Sequence, residues 1–231
     1  DMEKTKKCLK DLIVFQNLDP EELELLCENS YAKFYEKGEV IFFENDSVKK
    51  LYLLVNGNVK LSMLSAEGKE KVLTILQEGD IFGELSLFDE DPHPLTAEVM
   101  DDARLLIIPW NEMEKMIIDR PSLAIKIIEA LSKKTRLLTS QVRELVFQDA
   151  AGRLASLLSR LAEDFGREIE EGTVIDLVLT HQEIANLIGS SRVTVTKLIN
   201  KFIDDGMITI KKRKIIIKDF ESLGERLQTI F

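Results

Sequence analysis

Hydrophobic positions change period twice along this chain, and the changes divide it. Near the start, Asp19-Pro20-Glu21-Glu22 precedes Leu23, Leu25 and Leu26. Asp19 can cap a helix, Pro20 suits its first position and Glu22 its third, so residues 19–29 are predicted to form a short amphipathic helix. From residue 32 to 109 the period is that of strands. Apolar runs at 40–43, 51–55, 59–64, 72–76 and 105–108 are separated by turn signals at Glu36-Lys37-Gly38, Asn56-Gly57-Asn58, Glu67-Gly68-Lys69 and Glu78-Gly79-Asp80. Short strands at that spacing predict an antiparallel sandwich or barrel, of a size that can hold one small ligand.

The helical period returns near Asn111. Between Pro121 and Phe147, Ile128, Leu131, Thr135, Leu138, Val142 and Leu145 recur at alternating steps of three and four. That is an a/d seam. Lys133, Lys134, Arg136, Arg143 and Glu144 keep the other faces polar, so a parallel dimer is expected; packing on the helix's own domain is the alternative. Phe147-Gln148-Asp149 interrupts the run. Asp149 can cap a further helix with Leu154, Leu158, Leu161 and Phe165 inside and Gly166 as its stop. No Gly/Ser tract intervenes, so the domains should be coupled. The expected layout is a sensing domain over 1–120, a dimerisation helix and hinge over 121–148, and a third domain over 149–231.

That third domain contains a recognisable pattern. Thr180-His181-Gln182-Glu183 is a Thr-x-x-Glu capping box opening a helix that buries Ile184, Leu187 and Ile188. Gly189-Ser190 breaks it. Ser191 then caps a second helix with Val195, Leu198, Ile199, Phe202 and Ile203 inside and Gly206 at its end. Two short helices joined by a glycine turn form a helix-turn-helix, whose second helix enters the DNA major groove. Arg192, Val193, Thr196 and Lys197 face outward as base-reading candidates. Arg192 can fork onto guanine, and Val193 can touch a thymine methyl. Thr180, His181, Gln182, Ser191 and Thr194 lie near helix N-termini and suit phosphate oxygens. Residues 207–210 and 215–217 read as a hairpin with the basic tip Lys211-Lys212-Arg213-Lys214, a wing whose Lys212 and Arg213 would meet phosphate.

Composition first seems to oppose this reading. The 231 residues carry a formal charge of -10, with a sequence pI of about 4.9, whereas a DNA-binding domain usually carries a basic field. The charge is unevenly placed, however. Residues 149–231 are nearly balanced, with 12 Lys/Arg against 13 Asp/Glu, and residues 180–218 hold 8 basic against 3 acidic. The acidity belongs to the first 148 residues. Two cysteines, Cys8 and Cys27, exclude a four-thiolate cluster from one chain and a disulfide-rich scaffold. They read as reduced thiols of a cytoplasmic protein. No run is long and apolar enough for a membrane span, and the opening residues lack a signal-peptide core. Asp1 ahead of Met2 reads as an added residue.

Thr180-His-Gln-Glu-Ile-Ala-Asn-Leu-Ile-Gly-Ser-Ser-Arg-Val-Thr-Val resembles the DNA-binding signature of the cAMP receptor protein/FNR (Crp/Fnr) family of bacterial transcription regulators. Gly79-Asp-Ile-Phe-Gly-Glu-Leu-Ser-Leu-Phe is similar to that family's cyclic-nucleotide motif, and Phe147-x-Asp149-x-x-Gly152-Arg153 to its hinge. The resemblance spans nearly the whole chain. It implies an α+β protein: an N-terminal antiparallel β-roll, a long dimerisation helix and a C-terminal winged helix-turn-helix. It implies a non-enzymatic homodimer on a roughly palindromic double-stranded DNA site, and RNA polymerase as a partner such a regulator could engage.

The resemblance also implies an effector pocket. Gly83 and Glu84 match the family's Gly-Glu pair, whose glutamate takes the ribose hydroxyl, and amides from Gly83 through Leu85 to Ser86 would approach the phosphate. The family's next requirement is an arginine followed by Ser or Thr. Here the stretch is Asp91-Pro92-His93-Pro94-Leu95-Thr96-Ala97, so His93, Pro94 or Leu95 stands in that place, with Thr96 after it. None of these can fork onto a phosphate as arginine does. Leu138 and Thr139 occupy the adenine-contacting positions. Ordinary cAMP binding is therefore not expected, and the effector's identity stays open. The alternatives are a constitutive regulator with a vestigial pocket and a haem-based gas sensor using His93. A cupin-type enzyme would need clustered histidines around a metal, and the first 148 residues hold one histidine.

Overall fold

The computed structural model describes residues 20–88 and 91–226. Asp19, the expected cap of the first helix, and Cys8 lie outside these residues. The chain divides into two compact units, one up to Arg136 and one from Leu137 on.

The first unit starts with α1 (Pro20–Glu28) and continues as antiparallel strands: β1 (Tyr31–Tyr35), β2 (Val40–Phe42), β3 (Lys50–Leu64), β4 (Glu70–Leu76), β5 (Ile81–Phe82) and β6 (Thr96–Pro109). They pair in the order β1-β6-β3-β4, with β2 on β6 and β5 on β3. Helix α2 (Trp110–Asp119) follows, then the long α3 (Ser122–Phe147), which runs on into the second unit. The unbroken apolar runs have a simple cause. In β3, Leu51, Leu53 and Val55 face a core shared with α1, α2 and the start of α3, where Leu26, Met113, Met116, Leu123 and Ile127 are buried. Tyr52 and Leu54 alternate with them into the roll interior, beside Phe42, Leu61, Phe82 and Leu95. In β6, Leu106 and Ile108 join the first core while Leu105 and Ile107 join the second. A strand buried on both faces loses the polar half of its alternation.

One expected turn is not a turn. Residues 51–55 and 59–64 belong to the single 15-residue β3, and Asn56-Gly57-Asn58 is an irregularity in its pairing with β6. Gly57 takes φ +88, and a Cβ there would lie 2.6 Å from the Asp102 carbonyl oxygen. A side chain is excluded by both backbone conformation and space, so glycine marks a bulge where it resembled a hairpin.

The second unit takes the end of α3, then α4 (Ala150–Phe165), β7 (Gly166–Ile169), β8 (Gly172–Ile175), α5 (His181–Ile188), α6 (Arg192–Asp204), β9 (Ile208–Lys211), β10 (Lys214–Ile217) and α7 (Phe220–Glu225). Its sheet runs β7-β8-β10-β9, all antiparallel. The sequence reading found the β9–β10 hairpin and missed β7–β8. Gly166 ends α4, as expected, and in an extended conformation it also opens β7. Leu154, Leu158 and Leu161 are buried on α4 as expected, and Phe165 is half-buried. Among the described residues no helix is long and apolar enough to cross a membrane.

A candidate DNA-reading surface and a buried effector pocket

Local chemistry sets each end of the two reading helices. The Thr180 hydroxyl oxygen accepts from the Glu183 amide at 3.2 Å, and the Glu183 carboxylate accepts from the Thr180 amide at 2.6 Å. Two donors that no helix turn can satisfy are thereby paired. Gly189 closes α5 in the left-handed region. Ser191 opens α6 by accepting from the Thr194 amide at 3.1 Å. Val195, Ile199 and Phe202 are buried beneath α6, Leu198 is half-buried, and Ile203, expected inside, is exposed.

The outward face carries Arg192, Val193 and Lys197, all exposed, with Val193 65% accessible. An apolar residue that open on a helix is available for contact. Thr196 differs from its expected role. Its hydroxyl donates to the Arg192 carbonyl at 3.0 Å. With that hydrogen spent, Nδ1–H of His181 donates to the same oxygen at 2.8 Å. The pair staples the start of α5 to the first turn of α6, so Thr196 positions the reading helix and has no free donor for a base. Gln182 is engaged with Asn186, and Thr194 with Ser191, each at 2.8 Å. Several residues assigned to phosphate thus also build the helix ends.

At the wing tip, Lys212 and Arg213 take φ of 48 and 66. Left-handed backbone costs a side-chain-bearing residue roughly 1–2 kcal/mol, and Asn-Gly is the usual choice in such a hairpin. Two cations stand there instead. Their neighbours are neutralised: Lys211 pairs with Glu171 and Lys214 with Asp176, and both carboxyls are held below their usual range by those lysines. The basic count of residues 180–218 therefore overstates the free charge, because Lys211 and Lys214 are already paired.

A residue quoted only as part of the hinge motif does more. Arg153 donates through Nε to the Ile188 carbonyl at 2.8 Å and through Nη1 to the Gln148 carbonyl at 2.7 Å. It ties the end of α5 to the residue before Asp149. Asp149 in turn caps α4 by accepting from the Gly152 amide at 2.8 Å.

In the first unit, Gly83, Glu84, Leu85, His93 and Leu95 come together around one cavity of about 20 Å³, with Phe42, Leu61 and Pro94. That holds about one water-sized group. Gly83 has φ +87, and a Cβ there would lie 2.5 Å from the Lys50 carbonyl oxygen. Glu84 starts a single 3-10 turn (Glu84–Ser86) and is buried, as is Ser86, while Leu85 is exposed. His93 is 1% exposed; its ring stacks on Phe42 at 3.9 Å, and Nε2 donates to the Val48 carbonyl at 2.9 Å beside the Ser86 hydroxyl. Burial holds its imidazole pKa below the usual histidine range. A ring covered on one face in a cavity this small does not fit a haem. Among the described residues no group of three His, Cys, Asp or Glu could hold a metal ion. Thr96 lies beside the cavity and accepts from the Glu44 amide at 3.0 Å. Leu138 and Thr139, expected to join this pocket, fall in the other unit and are exposed.

The sequence reading missed Lys134. Its ammonium donates to Glu84 Oε1 at 2.7 Å and to the Ile81 carbonyl at 2.8 Å. A lysine among the polar positions of α3 gave no sign that it would reach a residue fifty positions away.

Residues 32–120 match the model of the cyclic nucleotide-binding domain, and residues 152–226 that of the Crp-like helix-turn-helix domain. The chain is 30% identical over 213 residues to the CRP-like cAMP-activated global transcriptional regulator of Mycobacterium tuberculosis, covering 92% of this chain and 95% of that one. It is 36% identical over 217 residues to the global nitrogen regulator of Synechococcus elongatus, covering 93% and 96%. Among solved structures it is similar to a CooA mutant from Carboxydothermus hydrogenoformans, at 27% identity, 93% and 94% coverage and a TM-score of 0.78. A CRP/FNR-family transcriptional regulator from Thermus thermophilus shares 27% identity over 86% of this chain and 99% of that one, with a TM-score of 0.72.

Proposed function

The chain belongs to the Crp/Fnr family of transcription regulators, a family of DNA-binding proteins and not of enzymes, and on that premise we propose that it is a cytoplasmic homodimer that binds a roughly palindromic site and answers to a small effector in the roll. In this reading residues 1–120 sense, 121–148 dimerise and transmit, and 149–231 read DNA. The observation that carries it is α6, capped at its start, packed beneath, and open along Arg192, Val193 and Lys197. Arg192 and Lys197 read bases, and Val193 meets a thymine methyl. Lys212 and Arg213, with Thr180, His181, Gln182, Ser191 and Thr194 around the helix starts, hold phosphates. RNA polymerase is the partner through which such a dimer would act.

The dimer is supported by α3. Ile128, Leu138, Val142 and Leu145 are 56%, 44%, 60% and 49% exposed at seam spacing, an apolar stripe that a second helix would cover. Thr135 is exposed among them, while Leu131 is half-buried against the first unit's own core. Pairing would set two copies of α6 about one DNA turn, roughly 34 Å, apart. The effector is not expected to be cAMP: the phosphate-holding arginine is absent, and of His93, Pro94 and Leu95, which could stand in its place, none carries its charge, His93 being buried with its pKa lowered. A constitutive regulator is the second reading, favoured by the small cavity. Selecting DNA from a random pool and titrating candidate effectors against the selected site tests both. A palindromic site with effector-dependent affinity is expected. No selected site overturns the proposal, and equal affinity with and without every effector leaves the constitutive reading.

A further inference from the structure

The turns of α3 that belong to the second unit carry two stripes. Leu138, Val142 and Leu145 are exposed along one. Gln141, Glu144 and Gln148 recur at the same steps of three and four along the other, where Gln141 and Glu144 are buried and Gln148 is half-buried. Two of these polar side chains meet α4. Glu144 Oε1 accepts from Nη1 of Arg160, and from the Ser140 hydroxyl at 3.3 Å. The Gln148 side-chain carbonyl accepts from the Ser156 hydroxyl at 3.0 Å. The start of α4 lies close against the same residue, since a Cβ at Gly152 would stand 3.2 Å from that of Gln148. The end of α5 joins them: a Cβ at Gly189 would stand 3.6 Å from Leu145 Cδ2.

A break between two helices does not fix their angle, because a few backbone dihedrals can swing the second helix widely. Contacts away from the break must fix it. Arg160 lies about three turns beyond Asp149, and Glu144 about one turn before it, so their pair acts on the longest arm of the ties named here. The pair is also the costliest to separate. Glu144 is buried and Arg160 half-buried, and a buried carboxylate that loses its cation is left uncompensated. Water can satisfy it only where α4 and α3 part.

We propose that the Glu144–Arg160 pair is a positioning device for DNA recognition: it fixes the angle of α4 on α3, and thereby the spacing of the two half-sites that a dimer can hold at once. The proposal rests on the homodimer reading above and names the residues that set its geometry. Leu138, Val142 and Leu145 stand on the same turns as Glu144, so seam and anchor belong to one compact unit. Neither Glu144 nor Arg160 touches DNA; they act through α4, on which the reading helices pack.

The test uses the full-length chain and duplexes that carry two copies of the selected half-site, with the spacer lengthened or shortened by one or two base pairs. Each base pair moves one half-site by about 3.4 Å and roughly a tenth of a turn. The wild type should favour one spacer on the order of a hundredfold, the avidity that is lost when both heads cannot engage. Arg160→Met should flatten that profile on the order of tenfold or more, with affinity for a single half-site unchanged within about twofold and the dimer intact in sedimentation. Arg160→Lys returns a cation to Glu144 and should sharpen the profile again. A merely structural role would lower the melting temperature of Arg160→Met and leave its spacer profile as in the wild type, and that result overturns the proposal, as does a profile that Arg160→Lys fails to sharpen. Should Arg160→Met not fold, Ser156→Ala removes one tie to Gln148 and leaves every charge in place; it should widen the profile a few-fold, and an unchanged profile overturns the proposal. A wild type that sediments as a monomer and ignores the spacer overturns the homodimer reading instead.

Discussion

The proposed reading head and the proposed effector cavity are built in opposite ways. The head is assembled from one continuous stretch, 180–217, and each of its parts answers to a near neighbour: Thr180 to Glu183, Ser191 to Thr194, Thr196 to Arg192. Its polar ties to the rest of the unit include Arg153 to Ile188 and Lys211 to Glu171. The cavity draws Phe42, Leu61, Glu84, His93 and Leu95 from four separate segments, and Lys134 from a fifth. A surface that meets DNA can be encoded locally, because helix ends and outward positions follow from residues three or four apart. A buried pocket cannot, because its walls are the inward faces of strands whose pairing is decided by the whole sheet.

That contrast can be broken at several points. The largest effect is expected at the seam that would duplicate the head. Val142→Glu places like charges across a paired helix and should give monomers in sedimentation, with DNA affinity down on the order of a hundredfold or more, the avidity of two linked half-sites. A dimer that survives would move the interface elsewhere. Within the head, Arg192→Ala should cost about 1–3 kcal/mol and relax specificity at one base pair, whereas replacing Lys212 and Arg213 should weaken all sequences alike and reduce the salt slope by about one per contact. The reverse pattern would exchange base and phosphate roles. Thr180→Ala removes the capping box and should lower the stability of the second unit by about 1 kcal/mol, read by thermal melting. No change would mean that packing alone holds α5.

The smallest effect belongs to the cavity. His93 titrates below the ordinary histidine range when folded because burial disfavours its charged form. The unfolded chain therefore binds the proton first. Its contribution to stability is complete above the unfolded value, about 6.5, and is lost as pH falls from there toward the folded value, at no more than about 1.4 kcal/mol per pH unit. His93→Gln should flatten that part of a pH–stability curve for the first unit. An unchanged slope would assign the acid sensitivity to other groups.

Much of this molecule was legible before its structure. The capping box, the glycine break, the wing hairpin and the Asp149 cap are local signals, and all of them hold. The failures share a cause. Asn56-Gly57-Asn58 has turn chemistry, and only the pairing of β3 with β6 makes it a bulge. The β7–β8 hairpin carried a usable signal, Gly172 before Thr173-Val174-Ile175, but its flanking charges hid the alternation. Ile203 fits the apolar period of α6 yet lies beyond the surface that packs beneath it.

The sequence by itself determined the order of the elements, the ends of the reading helices and the outward residues available to DNA, since these depend on backbone propensity and spacing over a single turn. Tertiary structure alone decided that Lys134 neutralises Glu84, that His93 is buried against Phe42, and that Thr196 is held by His181. Each is a contact between residues whose meeting depends on how sheet and helices pack, and the free energy of a buried charge or ring is set by what surrounds it and not by its place in the chain.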